Sequence, residues 1–395
     1  MPATAATDDA FRNDARRGWM AWAVLLVFLS IVLAAVPERS GVTSVYREAL
    51  RNWLAGRDLY NDSGHGFLYL PASVALYFPL LLKPPIIGEI LWRCFTVGTF
   101  AWGTWRFSRL AAGWFGRPVF GILSVVGAIL ALPGGRNGQT TLPMAGLLMI
   151  AAAEAAAGRD GRVGLAAVGS LLLKPLSIPA MLLLAACRPR SIPLMLVGTL
   201  AVLAAPFLAP GHDWIWRQYG GFWNVLTLSE KMSSEAWATL AGAAAVFGTP
   251  LPDLLRTGLS LTAAAITLGG CLFAWRSLPP AEAATTMYSL AMLWIMLFSP
   301  RTENNTYACI APTLGLAIAA GLHGVGPAGT GRSRSRAAVA MLVAAAVIGS
   351  YELGKLLVPG VRAVWLAPMA TVFLILDTWW GLFVGRRLRA DPPAG

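Results

Sequence analysis

The chain has 395 residues, of which 56% are hydrophobic and 13% charged, with a mean hydropathy of +0.62. A soluble domain carries about 25% charged residues, so a single integral membrane domain over 1–395 is expected, with no sizeable soluble domain besides it. The net charge of +12 resides mostly in arginines between apolar runs, where it sets orientation and meets membrane lipids rather than nucleic acid.

In chain order, residues 1–18 hold Asp8, Asp9 and Asp14 beside three arginines, and 19–36 reads as a retained first span rather than a cleaved signal. Further apolar runs fall at 67–82, 86–105, 118–133, 140–157, 163–187, 192–209, 255–275, 281–299, 304–322, 336–354 and 363–385, with a shorter one at 236–248. A spanning helix needs about 20 apolar residues. A backbone in lipid must close its own hydrogen bonds, so these runs predict an all-α bundle of roughly 10–12 membrane helices. The segment Val42–Leu54 reads as an amphipathic helix lying in the interface plane.

Arginine placement puts the N-terminus and the tail 386–395 in the cytoplasm, at the inner membrane of a cell. The loops 37–66 and 210–254 and the turn 299–307 then lie outside. Between 67 and 187, five full crossings would place Arg106, Arg109, Arg117, Arg159 and Arg162 outside, against the charge bias. The favoured alternative has 163–187 enter, break at Lys174–Pro175 and return, with one element of 67–105 short or re-entrant. Proline lacks the amide hydrogen and clashes with the preceding turn, so a break there is physically reasonable.

Lys174 is the first candidate functional residue, because an ionisable group within a span is costly unless paired or hydrated. A carboxylate or a phosphate is its expected partner. The first loop concentrates Glu38, Arg39, Tyr46, Arg47, Glu48, Asp58 and Tyr60. Such a set suits a site needing a base and an anion clamp. Gln139 opens the run after Arg136-Asn137-Gly138, either lining a site or capping a helix. Arg301, Glu303, Asn304 and Asn305 form a dense polar turn, suited equally to capping and to lining a site. The cysteines (Cys94, Cys187, Cys271, Cys309) have no CxxC spacing and the histidines (His65, His212, His323) no ligand spacing, so neither a disulfide framework nor a metal is expected.

Taken in order, VYREALRNWLAGRDLY, FLYLPASVALYFPLLL, NGQTTLPMAGLLMIAAA, GRVGLAAVGSLLLKPLSIPAMLLL and SPRTENNTYACIAP resemble the GT-C membrane glycosyltransferases. Within them the likeness is to glycosyltransferase family 87, the polyprenyl-phosphate-mannose-dependent group. The resemblance implies a GT-C bundle that transfers a hexose, with mannose expected, from a polyprenyl-phosphate sugar to a lipid or glycan acceptor at the outer face. No cofactor is implied; the lipid-linked sugar is a co-substrate. Carried over, Lys174 would contact the donor phosphate together with Arg39 and Arg47. Gln139 would line the site, with Tyr46 and Tyr60 shaping the first loop. The family's loop aspartate, four residues before the tyrosine, is Val42 here, so Glu38 or Glu48 is the expected base. The rival expectations are a transporter or flippase, and a catalytically diverged scaffold in glycan assembly.

Overall fold

The computed structural model describes residues 2–36, 41–60, 66–230, 237–323 and 363–390. Among these residues there are helices and no strand. Six helical stretches are long and apolar enough to cross a membrane: Asp8–Ala35, Phe120–Asn137, Pro189–Leu208, Asp253–Ser277, Pro280–Phe298 and Asn304–His323. The expected run at 336–354 lies outside the described residues.

The helices in chain order are α1 (Pro2–Ala35), α2 (Thr43–Leu54), α3 (Pro85–Phe115), α4 (Phe120–Asn137), α5 (Thr141–Ala156), α6 (Asp160–Leu173), α7 (Ile178–Cys187), α8 (Ile192–Ala204), α9 (His212–Glu230), α10 (Leu240–Val246), α11 (Asp253–Ser277), α12 (Pro280–Phe298), α13 (Ala311–His323) and α14 (Leu366–Ala390). The expected helix at 67–82 is instead a short 3₁₀ segment, Pro71–Leu81, with Pro79 inside it and Pro84–Pro85 just beyond. The prolines remove donors that an α-helix would need. This is the short element that charge placement required between 67 and 105. The region expected as a loop at 210–254 holds α9 and α10. The sequence signal for α9 is the helical spacing of Ile215, Gln218, Tyr219, Phe222 and Val225, which form its buried or half-buried side.

The break at Lys174 is present. Its backbone is extended (φ −161°, ψ 124°), a 3₁₀ turn follows over Pro175–Ser177, and α7 then returns. Arg188, just after α7, bonds Asp160 at the start of α6 at 2.6 Å, closing the open end of the hairpin. At 1.5 Å per residue α6 is about 21 Å long and α7 about 15 Å, both short of the roughly 30 Å hydrocarbon core. The Arg188–Asp160 pair puts both open ends of the hairpin at the same end of the bundle.

Two ends of the bundle follow from the ion pairs. At one, Glu154 near the end of α5 gathers Arg106 of α3 (2.6 Å) and Arg159, beside the Arg188–Asp160 pair. At the other lie α2, the end of α4, the start of α5 and the turn before α13. The arginines at issue between 67 and 187 that form these pairs thus share one face, and Asn137, Gly138 and Gln139 sit at the opposite one. Asp14 of α1 accepts the amide hydrogens of Phe120 and Gly121 at 2.8 and 2.9 Å, supplying from another helix the cap that α4 lacks locally.

Hydrophobic attraction between helices fades in lipid, so close backbone approach carries much of the packing. α3 and α5 cross at Gly103 and Gly146, where an added Cβ on Gly146 would stand 2.8 Å from the Thr99 carbonyl carbon and 2.9 Å from the Phe100 Cα. Gly269 in α11 has open space around it. Gly146→Ala is expected to lose about 1–3 kcal/mol through overpacking, whereas Gly269→Ala gains up to about 1 kcal/mol from helix propensity. Thermal melts of the two variants in detergent should move in opposite directions; equal shifts would rule out the tight crossing.

Candidate functional site

The turn that ends α4 is built by glycine. Gly138 has φ +68°, and the amide hydrogens of Gly138 and Gln139 fold back on the carbonyls of Gly135 and Gly134. A Cβ there would lie 2.5 Å from the Thr43 methyl carbon. Three neighbours hold the turn: Trp92 donates to the Gly138 carbonyl (2.7 Å), Arg93 to the Arg136 carbonyl (2.9 Å), and the Val42 amide to the Asn137 carbonyl (3.1 Å). The first loop, α3 and α4 thereby meet at one point.

That point aims Gln139 inward. Its side chain is buried and does not cap α5; the amide nitrogen donates to Glu303 Oε2 at 2.9 Å and the amide oxygen accepts from Thr141 at 3.2 Å. Lys174 Nζ, at the tip of the α6–α7 hairpin, donates to Thr141 Oγ1 at 2.8 Å. Asn305 donates to the same Glu303 oxygen at 2.9 Å. A hydrogen-bonded chain thus runs Lys174–Thr141–Gln139–Glu303–Asn305 across three parts of the sequence. Among the described residues Lys174 and Glu303 form no direct ion pair, and Glu303 Oε1 accepts no hydrogen bond.

Burial alone would raise the pKa of Glu303. The Lys174 charge, the hydrogen bonds from Asn305 and Gln139, and the Arg301 charge outweigh it and hold the carboxyl below its ordinary value. Arg301 lies over the Trp237 ring, 4.6 Å from its centroid, close to Tyr69 and Glu303. The site therefore joins an ammonium, a guanidinium and an ionised carboxylate, with no direct ion pair between Lys174 and Glu303.

The first loop takes a different part. Tyr46 is 1% exposed and stacks on Tyr77, with its hydroxyl 2.8 Å from that of Tyr69. It is a packing residue of a small aromatic core, not a lining one. Tyr60 is half-buried and donates to the Tyr69 carbonyl at 2.7 Å, so it fixes the segment that faces Arg301. Arg47 is held by Glu89, which also binds Arg93 and accepts from Thr43 Oγ1 at 2.9 Å. With two guanidiniums and a hydroxyl on one carboxylate, Arg47 serves to anchor α2. Asp58 accepts from Gln218 of α9 at 2.7 Å, and Gln218 in turn accepts the Leu59 amide. Glu48 is exposed on the side of α2 opposite Thr43, Tyr46, Ala49 and Leu50, which removes it from the cluster. Asn304 is half-buried beside Glu303. Glu38 and Arg39 lie outside the described residues.

Sequence reading missed Thr141, Glu89, Arg93 and Trp237. A threonine in an apolar run carries no signal. Glu89 and Arg93 did carry one, a carboxylate and a guanidinium four apart in an otherwise apolar helix. Trp237 was overlooked because its role depends on Arg301, far away in sequence. No family model matches this chain, and no curated protein or solved structure is similar to it.

Removing one partner of a buried ion cluster strands the others, at about 3–5 kcal/mol. Glu89→Ala should lose that much in thermal or denaturant unfolding, against about 1 kcal/mol or less for Asp58→Ala at its exposed position. Because the folded pKa of Glu303 is depressed, its stabilisation is full above its ordinary value of 4.5 and is lost as pH falls through the lower folded value. Lys174→Ala removes the leading cause of that depression, so the stability lost between 4.5 and the folded value should shrink and the acid limb of the profile should flatten. An unchanged limb would show the two charges to be uncoupled.

Proposed function

We propose that this chain is a membrane glycosyltransferase that moves a hexose from a polyprenyl phosphate to a lipid or glycan hydroxyl. The observation that carries this reading is the spacing of Lys174 and Glu303. They share one hydrogen-bonded chain yet leave the ammonium with spare donors and the carboxylate with a spare oxygen. An anionic leaving group and a hydroxyl nucleophile would fill those two vacancies.

In the proposed reaction the acceptor oxygen attacks the anomeric carbon as the bond from that carbon to the phosphate oxygen breaks. The phosphate leaves with the electron pair, and inversion follows from attack on the opposite side. Lys174 and Arg301 meet the charge that grows on the phosphate, which favours the transition state over the ground state. Glu303 Oε1 accepts the hydrogen of the acceptor hydroxyl. Its lowered pKa makes it a weak base, able to take the proton only once the attacking oxygen has given electron density to the anomeric carbon. Glu38, three residues before Gly41, is the second carboxylate for that step. We orient the site face outward, with both chain termini cytoplasmic, because the arginines of the opposite face satisfy the positive-inside rule.

The test is transfer from radiolabelled polyprenyl-phosphate mannose, and from other polyprenyl-phosphate hexoses, in liposomes containing a membrane lipid extract. Wild type should form product, and Lys174→Ala and Glu303→Gln should each lower turnover by about 10²–10³-fold, the usual loss for one charge-stabilising group. A comparable loss in Glu38→Gln, with Glu303→Gln only mildly affected, would move the base to Glu38. Movement of intact lipid across the bilayer without a new glycosidic bond would replace the reading with a flippase.

A further inference from the structure

A cavity of about 230 Å³ lies beside the site between α10, α11 and the end of α12. Its walls include Trp237, Arg256, Leu259, Ser260, Leu297 and Pro300. Pro300 directly precedes Arg301, and Trp237 is the ring on which Arg301 rests. One wall is thus shared with the Lys174 cluster, yet none of the Lys174–Glu303 chain lines it.

Three features set its ligand chemistry. Trp237 is 8% exposed, and its indole N–H has no hydrogen-bond acceptor among the described residues. A buried donor of that kind calls for an acceptor atom. Arg256 adds a cation one turn into α11. Its ion pair with Asp253 is long, 3.3 Å, and Asp253 is 91% exposed, so the pair is weak and exchangeable. Deeper along the same helix, Leu259 and Leu261 both line the cavity and are exposed, and Leu254 and Leu255 at the start of α11 are exposed as well. The cavity is too small for a whole lipid, but the apolar face of α11 continues it.

We infer that this cavity is a lipid-phosphate site. The Arg256 guanidinium and the Trp237 N–H take the phosphate oxygens, and the hydrocarbon chain leaves along the leucines of α11. Arginine suits this because its planar fork matches phosphate oxygens. The inference does not depend on sugar transfer, since its readout is bound lipid.

Native mass spectrometry of the full chain in detergent, with added phosphatidylglycerol, polyprenyl phosphate or diacylglycerol, tests it. All measurements are repeated in a Lys174→Ala background, so that lipid held by the neighbouring cluster is not counted. The expected result is retention of one phosphate-bearing lipid and no retention of diacylglycerol. Arg256→Gln and the cavity-filling Ser260→Phe should weaken retention about tenfold and Arg256→Lys by less, since it keeps the charge but not the fork, while the exposed α9 variant Arg217→Gln should retain lipid as wild type does. Each variant is compared only if it melts as wild type; should Ser260→Phe fail to fold, Trp237→Phe takes its place. Preference for polyprenyl phosphate would identify a substrate lipid, and preference for phosphatidylglycerol a bulk membrane lipid; both uphold the site. Equal retention of diacylglycerol, or Arg256→Gln behaving as Arg217→Gln, would overturn it.

Discussion

An ammonium group inside a helix bundle has to be satisfied, and the way Lys174 is satisfied organises the rest of the site. The chain stops being helical at Leu173 because Pro175 cannot continue the ladder. The tip of the resulting hairpin is pressed against the start of α5, where Thr141 supplies one hydrogen bond. One bond does not complete an ammonium with three donors. The charge of Glu303 acts on it across a gap that Gln139 and Thr141 span. Had the lysine and the carboxylate touched, the pair would have been a structural bridge. Held apart, they form a polarised site.

Rigid supports fix that separation. Gly138 makes a turn that a side chain would block, and Trp92, Arg93 and Val42 clasp it from three directions. Glu89 ties α2 and α3 together through Arg47, Arg93 and Thr43, so the first loop sits against α4. On the other side, Asn305 and the stacked Arg301–Trp237 pair hold the turn that carries Glu303. A site set on helix ends and backed by buried ion pairs is better fixed than one built on free loops.

Much of the fold was legible in the sequence because membrane physics leaves few choices. Apolar runs had to be helices, and arginine placement pointed to a break at Lys174–Pro175 and to one short or re-entrant element among 67–105; the structure has a break at Lys174 and a 3₁₀ segment at Pro71–Leu81. What was not legible came from tertiary context. The prolines at 71 and 79 turned an apparent span into a 3₁₀ segment, α9 lay in a stretch where apolar and polar residues mix, and the apolar run at 236–248 is too short to span and holds the short helix α10. In the site, Lys174, Gln139, Arg301, Glu303 and Asn305 were legible as polar groups amid apolar neighbours. Their assembly was not, since it depends on Thr141, a residue of no distinctive chemistry. Arg47 and Tyr46 drew notice for their residue types, yet they hold the first loop in place: a loop rich in charge can be anchored by that charge as readily as it can use it.

The most direct test of this account is a cryo-electron microscopy structure of the protein in a lipid nanodisc with polyprenyl-phosphate mannose bound. The account predicts the donor phosphate at hydrogen-bond distance, about 3 Å, from Lys174 Nζ, with the Glu303 carboxylate on the sugar side and still separate from the lysine. A direct Lys174–Glu303 ion pair, with the phosphate lodged elsewhere, would contradict it.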